Sequence, residues 1–228
     1  MRLKGLGAFA LLLVLGSKSV GVSHASVIYN SLGQTVSGED NVATAANDPN
    51  FYGPLADSFT TGSGPDDYLF NEVTVKLRSD LAHIVPGGNI IITLMADAGG
   101  TTQPGAFIGV IGQLNDSQLT ATLKDYTFNL DTSTPLRLHA NTRYWVQIQK
   151  GAAGDTSAQW AYGTDNSGIG VANEFFANNT GSYANQDGPY MMAASTVVPE
   201  PSAIIMAGLG VLGLGAGRLA RRRKATSV

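Results

Sequence analysis

Glu72-Val73-Thr74-Val75-Lys76-Leu77-Arg78 alternates without a break between apolar and polar side chains. Successive side chains of an extended chain point to opposite faces, so Val73, Val75 and Leu77 share one side and the charges share the other. A period-two run of this length reads as a strand with one buried face. Moving outward, Tyr126-Thr127-Phe128-Asn129-Leu130 repeats the pattern. So does Arg143-Tyr144-Trp145-Val146-Gln147-Ile148-Gln149, whose inward set is Tyr144, Val146 and Ile148. Asn89-Ile90-Ile91-Ile92-Thr93-Leu94-Met95 is apolar on both faces and reads as a central, doubly covered strand. Further strands are expected at 27–30, 56–60, 107–114, 158–162 and 190–194.

Between these runs lie turn signals: Gly62-Ser63-Gly64-Pro65, Pro86-Gly87-Gly88, Gly99-Gly100, Pro104-Gly105 and Asp187-Gly188-Pro189. No stretch of the body shows a 3.6-residue period, and no internal repeat is present. Many short strands joined by Gly/Pro turns imply an all-β fold of two packed antiparallel sheets, a jelly-roll-like sandwich. The Asn- and Gly-rich piece from 163 to 188 breaks the pattern and is expected to be a long surface loop.

The two ends have a different character. Met1-Arg2-Leu3-Lys4 is cationic, Gly5 to Gly16 is apolar, and a polar region ends in Ser23-His24-Ala25. That order describes a secretory signal peptide over 1–25, cut between Ala25 and Ser26. An uncleaved N-terminal anchor is the alternative, and it too implies export. At the other end come Pro199-Glu200-Pro201-Ser202, an apolar run from Ala203 to Gly217, then Arg218, Arg221, Arg222, Arg223 and Lys224. Prolines suit the start of a helix, and cations suit its C-terminal end. At 1.5 Å per residue a helix over about 203–220 reaches roughly 27 Å, a short membrane span. Carrying an arginine through the bilayer centre costs about 2.5–3.5 kcal/mol or more, so the basic stop stays cytoplasmic. The alternative for this segment is a buried core helix ending in a solvated basic turn.

Removing both ends changes the charge. Of fourteen Lys and Arg, three precede residue 26 and five follow residue 198, leaving six; sixteen of seventeen acids remain. The exported body, 26–197, is therefore near −10, although the whole chain reads −3. Such a body repels phosphates, which excludes nucleic acid as a partner. The chain has no cysteine, so disulfides, thiol catalysis and Cys-ligated metals are excluded.

Pro199-Glu200-Pro201, the Gly-rich apolar run and the Arg-rich end together resemble the bacterial PEP-CTERM sorting signal over 198–224. The resemblance implies export by the secretion machinery, signal peptidase processing and residence in the inner membrane. It further implies cleavage near Pro-Glu-Pro by an exosortase, then delivery to the cell surface or an exopolysaccharide-rich matrix. Leu55-Ala56-Asp57-Ser58-Phe59-Thr60-Thr61-Gly62, Val73 to Leu77, Gln103-Pro104-Gly105 and Thr142-Arg143-Tyr144-Trp145-Val146 resemble, in that order, the choice-of-anchor R domain over about 27–195. That family transfers no catalytic residue to this chain.

The body offers little chemistry of its own. No Gly-x-Ser-x-Gly elbow occurs, and His83 and His139 have no recognisable catalytic partner. Gly208-x-Gly210-x-x-Gly213 matches a dinucleotide fingerprint by letter only, since it follows no strand. Asp66-Asp67 and Asp165-Asn166-Ser167-Gly168 offer hard oxygen ligands suited to calcium, but ordinary turn chemistry explains them better. No cofactor, metal or catalytic residue is expected, and the protein is read as a non-enzyme. The candidate glycan contacts are Trp145, outward if Tyr144 points in, and Trp160 with Tyr162 on one face. The preferred alternative has Trp145 covered by the long loop, with Trp160 and Tyr162 in the core. The expectation is thus an exported structural or interaction module. A glycan-binding module is the first rival, and a glycosidase with two facing carboxylates is the second.

Overall fold

The alternating run at 72–78 lies inside β4 (Tyr68–Ser79), the twelve-residue strand on which one sheet is built. The computed structural model describes residues 25–42, 54–63, 68–80, 88–99, 103–130, 135–151, 156–164, 175–178, 183–184 and 188–197. Along one edge of β4 lie β13 (Met192–Val197) and then β10 (Ala158–Gly163), which pair with successive halves of it. Outside these run β1 (Ala25–Asn30), on β13, and β2 (Val36–Asn41), on β10. Along the other edge lie β8 (Leu136–Leu138) and β7 (Lys124–Asn129).

The second sheet is ordered β12 (Tyr183–Ala184), β11 (Phe175–Asn178), β3 (Leu55–Thr60), β9 (Arg143–Lys150), β5 (Asn89–Asp97) and β6 (Pro104–Asn115). Ladders in both sheets are antiparallel. β5 is an internal strand, as its two apolar faces predict. Consecutive β3 and β4 lie one in each sheet, and they run beside β9 and β10, again one in each sheet.

Between the sheets lies one apolar core. Val73, Val75 and Leu77 meet Phe59, Ile90, Ile92, Leu94, Val146 and Ile148 there, all at 0 % exposure. β6 packs tightly against the opposite sheet because two of its positions lack a Cβ. A methyl group on Gly112 would come within 2.5 Å of the Phe128 ring, and one on Gly109 within 2.7 Å of Leu136.

The segment from 163 to 188, expected as a surface loop, contributes two strands. β11 pairs with β3 through Phe175↔Asp57 to Ala177↔Leu55, and β12 pairs with β11. Strand pairing is made by backbone groups, so strands as short as Phe-Phe-Ala-Asn and Tyr-Ala need no alternating apolar pattern. The expected signal peptide up to residue 24, the helix expected at 203–220, Pro199 to Ser202 and the basic stop Arg218, Arg221, Arg222, Arg223 and Lys224 lie outside the described residues, whereas Ala25, the expected last residue of the leader, opens β1. Among the described residues no helix is long and apolar enough to cross a membrane.

Candidate functional site

The first and last strands set the geometry. Ala25 faces Val197, and Ser26 faces Thr196, across the β1–β13 ladder. The chain therefore enters and leaves the sandwich side by side, at one end of one sheet. Leu69 of β4 pairs with Val197 on one side and with Arg137 of β8 on the other. Strands in a ladder are about 4.8 Å apart, which puts Arg137 roughly 10 Å from Val197.

That same end carries an open concavity of about 510 Å³, lined in part by Asp97, Ile108, Arg137, His139, Asn141 and Arg143. The 139–142 turn that shapes it is fixed from several directions. The Thr61 hydroxyl donates to the His139 carbonyl at 2.6 Å and accepts from the Thr142 N–H at 2.9 Å. The Asn141 N–H donates to the Gly62 carbonyl, and Asn141 takes a left-handed φ of 50° that asparagine tolerates better than most residues. The His139 N–H donates to the buried Tyr144 hydroxyl at 2.8 Å. Asp97, the acid of the concavity, accepts from the Trp145 indole N–H at 2.9 Å and from the Gly99 N–H at 3.3 Å. Two of the six body cations thus converge on one hollow of a strongly acidic body. No spacing in the sequence announces this, because Arg137 and Arg143 come from strands in different sheets.

The candidate glycan contacts fall elsewhere. Trp145 lies on the outer face of its sheet, as the alternation requires, but it is 0 % exposed and packs with Ala56 and Met95. Its indole N–H is committed to Asp97, so no ring face is open for stacking on a sugar. Trp160 is also 0 % exposed and belongs to the main core. It stacks on Tyr190 with centroids 4.6 Å apart and donates its indole N–H to the Met191 carbonyl at 3.0 Å. Tyr162 is half-buried and meets Tyr190 edge to face at 6.4 Å, with its hydroxyl end over Gly38. The exposed stacking arrangement at Trp145 and Trp160 is thus absent from the fold.

Two carboxylates point between the sheets, but neither lines the concavity. Asp57 is 1 % exposed and accepts from the Tyr29 hydroxyl at 3.1 Å, a bond that ties β1 of one sheet to β3 of the other. Burial, with the Asp57 carboxylate alongside, holds the Tyr29 hydroxyl pKa well above the ordinary tyrosine value. Asp40, 7 % exposed, accepts from the Tyr190 hydroxyl at 2.7 Å. His139 is exposed, and His83 lies outside the described residues, as do Asp66, Asp67 and 165–168. Among the described residues no three His, Asp or Glu side chains form a group able to hold a metal ion.

Fold and terminal geometry together define a β-sandwich whose last strand runs directly into the tail. Residues 197–224, which begin at the last residue of β13, match the PEP-CTERM protein-sorting motif. A chain with this motif is a bacterial exported protein, associated with the membrane, processed by an exosortase and sorted to the cell surface. No curated protein matches the chain. Among solved structures it is similar to the infectious bursal disease virus Gt strain, at 15 % identity and a TM-score of 0.32, over 87 % of this chain and 42 % of that one. A mutant VP2 protein from derived T=1 particles of the same virus matches at 13 % identity and a TM-score of 0.24, over 87 % and 45 %. The chain spans less than half the length of either, and both scores are too low to support an inference.

Proposed function

We propose that this chain is a structural or interaction module of the bacterial surface or extracellular matrix, without enzymatic activity. A membrane helix over about 203–220 holds it in the inner membrane until an exosortase cuts near Pro199-Glu200-Pro201-Ser202. Its leader is removed between Ala25 and Ser26. The body is a jelly-roll-like sandwich, a reading favoured by the run of β3–β4 beside β9–β10 as one doubled ribbon. Its similarity to choice-of-anchor R domains rests on the ordered segments now found on β3, β4 and β9.

One observation carries the reading. The paired strands open at Ala25 and close at Val197, so the sandwich fills the interval between the expected leader cut and Pro199-Glu200-Pro201, overlapping each signal by a single residue. Mass spectrometry of protein recovered from cell surface and medium tests it. An N-terminus at Ser26 and a C-terminus between Pro199 and Ser202 are expected. Released protein that still ends at Val228 refutes it.

Glycan binding within an exopolysaccharide matrix is the second reading, and with Trp145 and Trp160 enclosed it falls to the half-buried Tyr162. Flat calorimetry against the producer's polysaccharide removes it. A glycosidase is disfavoured, because Asp40 and Asp57 are enclosed and bonded to tyrosine hydroxyls.

A further inference from the structure

We propose that the last rungs of β13 are a latch on the sorting cut: residues 195–197 peel from the sheet as one unit, and the processing enzyme acts on the peeled form. This rests on the processing reading above and adds the step that sets its rate.

Spacing creates the need for a latch. Val197 is both the last residue of β13 and the first of the matched sorting motif, so the motif starts inside the sheet. Only residues 198–202 lie between Val197 and the furthest expected cut. A peptidase acts on an extended stretch freed from its neighbours, and cutting then tracks the population of the opened form. Val197 is paired on both sides, with Ala25 of β1 and with Leu69 of β4. It cannot enter a cleft while both ladders are closed.

The arrangement of β13 lets it open from this end alone. Its start is clamped: the Met192 N–H donates to the Ser31 hydroxyl at 2.9 Å, and the Met192 carbonyl accepts from the Ser31 N–H at 2.8 Å. Met192 and Ala194 are both buried in the core. Beyond Ala194 the two ladders slip. β1 carries an extra residue, Ile28, opposite the step from Ala194 to Ser195. β4 carries an extra residue, Asn71, opposite the step from Ser195 to Thr196. Bulges interrupt pairing, so the rungs past them are held apart from those before.

The closed end also contains a defect. Thr196 is 0 % exposed, yet its hydroxyl finds no hydrogen-bond partner among the described residues. Such a group destabilises the closed strand, and water satisfies it once the strand peels. Val197 is only half-buried, and Ser26, which faces Thr196, is exposed. The leader cut proposed between Ala25 and Ser26 removes the residue opposite Val197, so the final rung is then closed on the β4 side alone.

Thr196→Val keeps the shape and the β-branch and removes the orphaned hydroxyl. In the full chain on phosphatidylcholine vesicles, amide hydrogen exchange should be faster at 195–197 than at 192–194. The variant should slow exchange at 195–197 by roughly tenfold and leave 192–194 unchanged. In producing cells, pulse-chase should show its sorting cut slowed by a similar factor. A Gly-Ser-Gly-Ser insert between Val197 and Val198 leaves Pro199 to Lys224 unbroken and supplies an extended stretch outside the sheet. The insert should restore fast cutting to Thr196→Val while exchange at 195–197 stays slow. Cutting of Thr196→Val at the parental rate, or slowing that the insert does not relieve, overturns the latch and leaves the processing reading intact. Equal exchange along all of β13 does the same. A parent chain that stays full length to Val228 overturns both.

Discussion

Tyr29→Phe removes one hydroxyl and leaves the ring that packs in the core. In the native fold that hydroxyl donates to a carboxylate that is 1 % exposed and joins the two sheets. A hydrogen bond to a charged group contributes about 1.5–3 kcal/mol, so the variant should lose that much at neutral pH. For a domain of this size the loss corresponds to a fall in Tm of roughly 3–12 °C. The alkaline limb makes the assignment specific. In the unfolded chain Tyr29 ionises near pH 10, whereas in the fold its pKa lies above that value. Unfolding then releases a proton above pH 10, so this group's contribution is complete below that pH and declines as pH rises. The slope is about 1.4 kcal/mol per pH unit, and Tyr29→Phe should remove one such increment from it. Urea titrations of both proteins from pH 7 to 11 measure the two effects together. A variant within 0.5 kcal/mol of the parent at pH 7, with an unchanged alkaline slope, would refute the buried cross-sheet bond.

Trp160→Phe should cost only about 1–2 kcal/mol, because the Met191 carbonyl also accepts from the Lys76 N–H at 3.0 Å; Trp160→Ala should cost about 3–5 kcal/mol in the same denaturation assay. Gly112→Val should destabilise by about 1–3 kcal/mol, since its side chain runs into Phe128, and thermal melts will show it. On the proposed anchoring, replacing Arg218, Arg221, Arg222, Arg223 and Lys224 together by Gln should raise protease accessibility of the chain end from the outer face of the membrane, and unchanged accessibility would count against the anchor.

Legibility followed the physics of each element. β4 and the inward set of β9 were readable because one face of each meets the core and the other does not. β3 was read one residue short, because Asp57 occupies the apolar slot between Leu55 and Phe59 and breaks the alternation. β2 carries the sequence Val-Ser-Gly-Glu-Asp-Asn, and only Asp40 within it is buried, so it gave no apolar signal at all. The outward direction of Trp145 followed from parity, but its enclosure depends on what packs over that face, which parity does not encode. The cationic hollow is a product of topology: three residues from β8, a turn and β9 meet beside Val197 only because β8 and β13 flank the same strand. The sorting motif at 197–224 was legible because it acts as a linear signal and needs no fold to be recognised.

The placement of β13 has a temporal consequence. It sits between β1 and β4, yet it is the last part of the body to be synthesised, so the sheet lacks an inner member until the chain is nearly finished. Closure joins residues more than 160 positions apart, a slow, non-local event. A polypeptide that cannot complete itself early stays threadable through a narrow export channel. Its final rung then forms only as the sorting motif at 197–224 emerges, so the last strand and the signal that follows it arrive together.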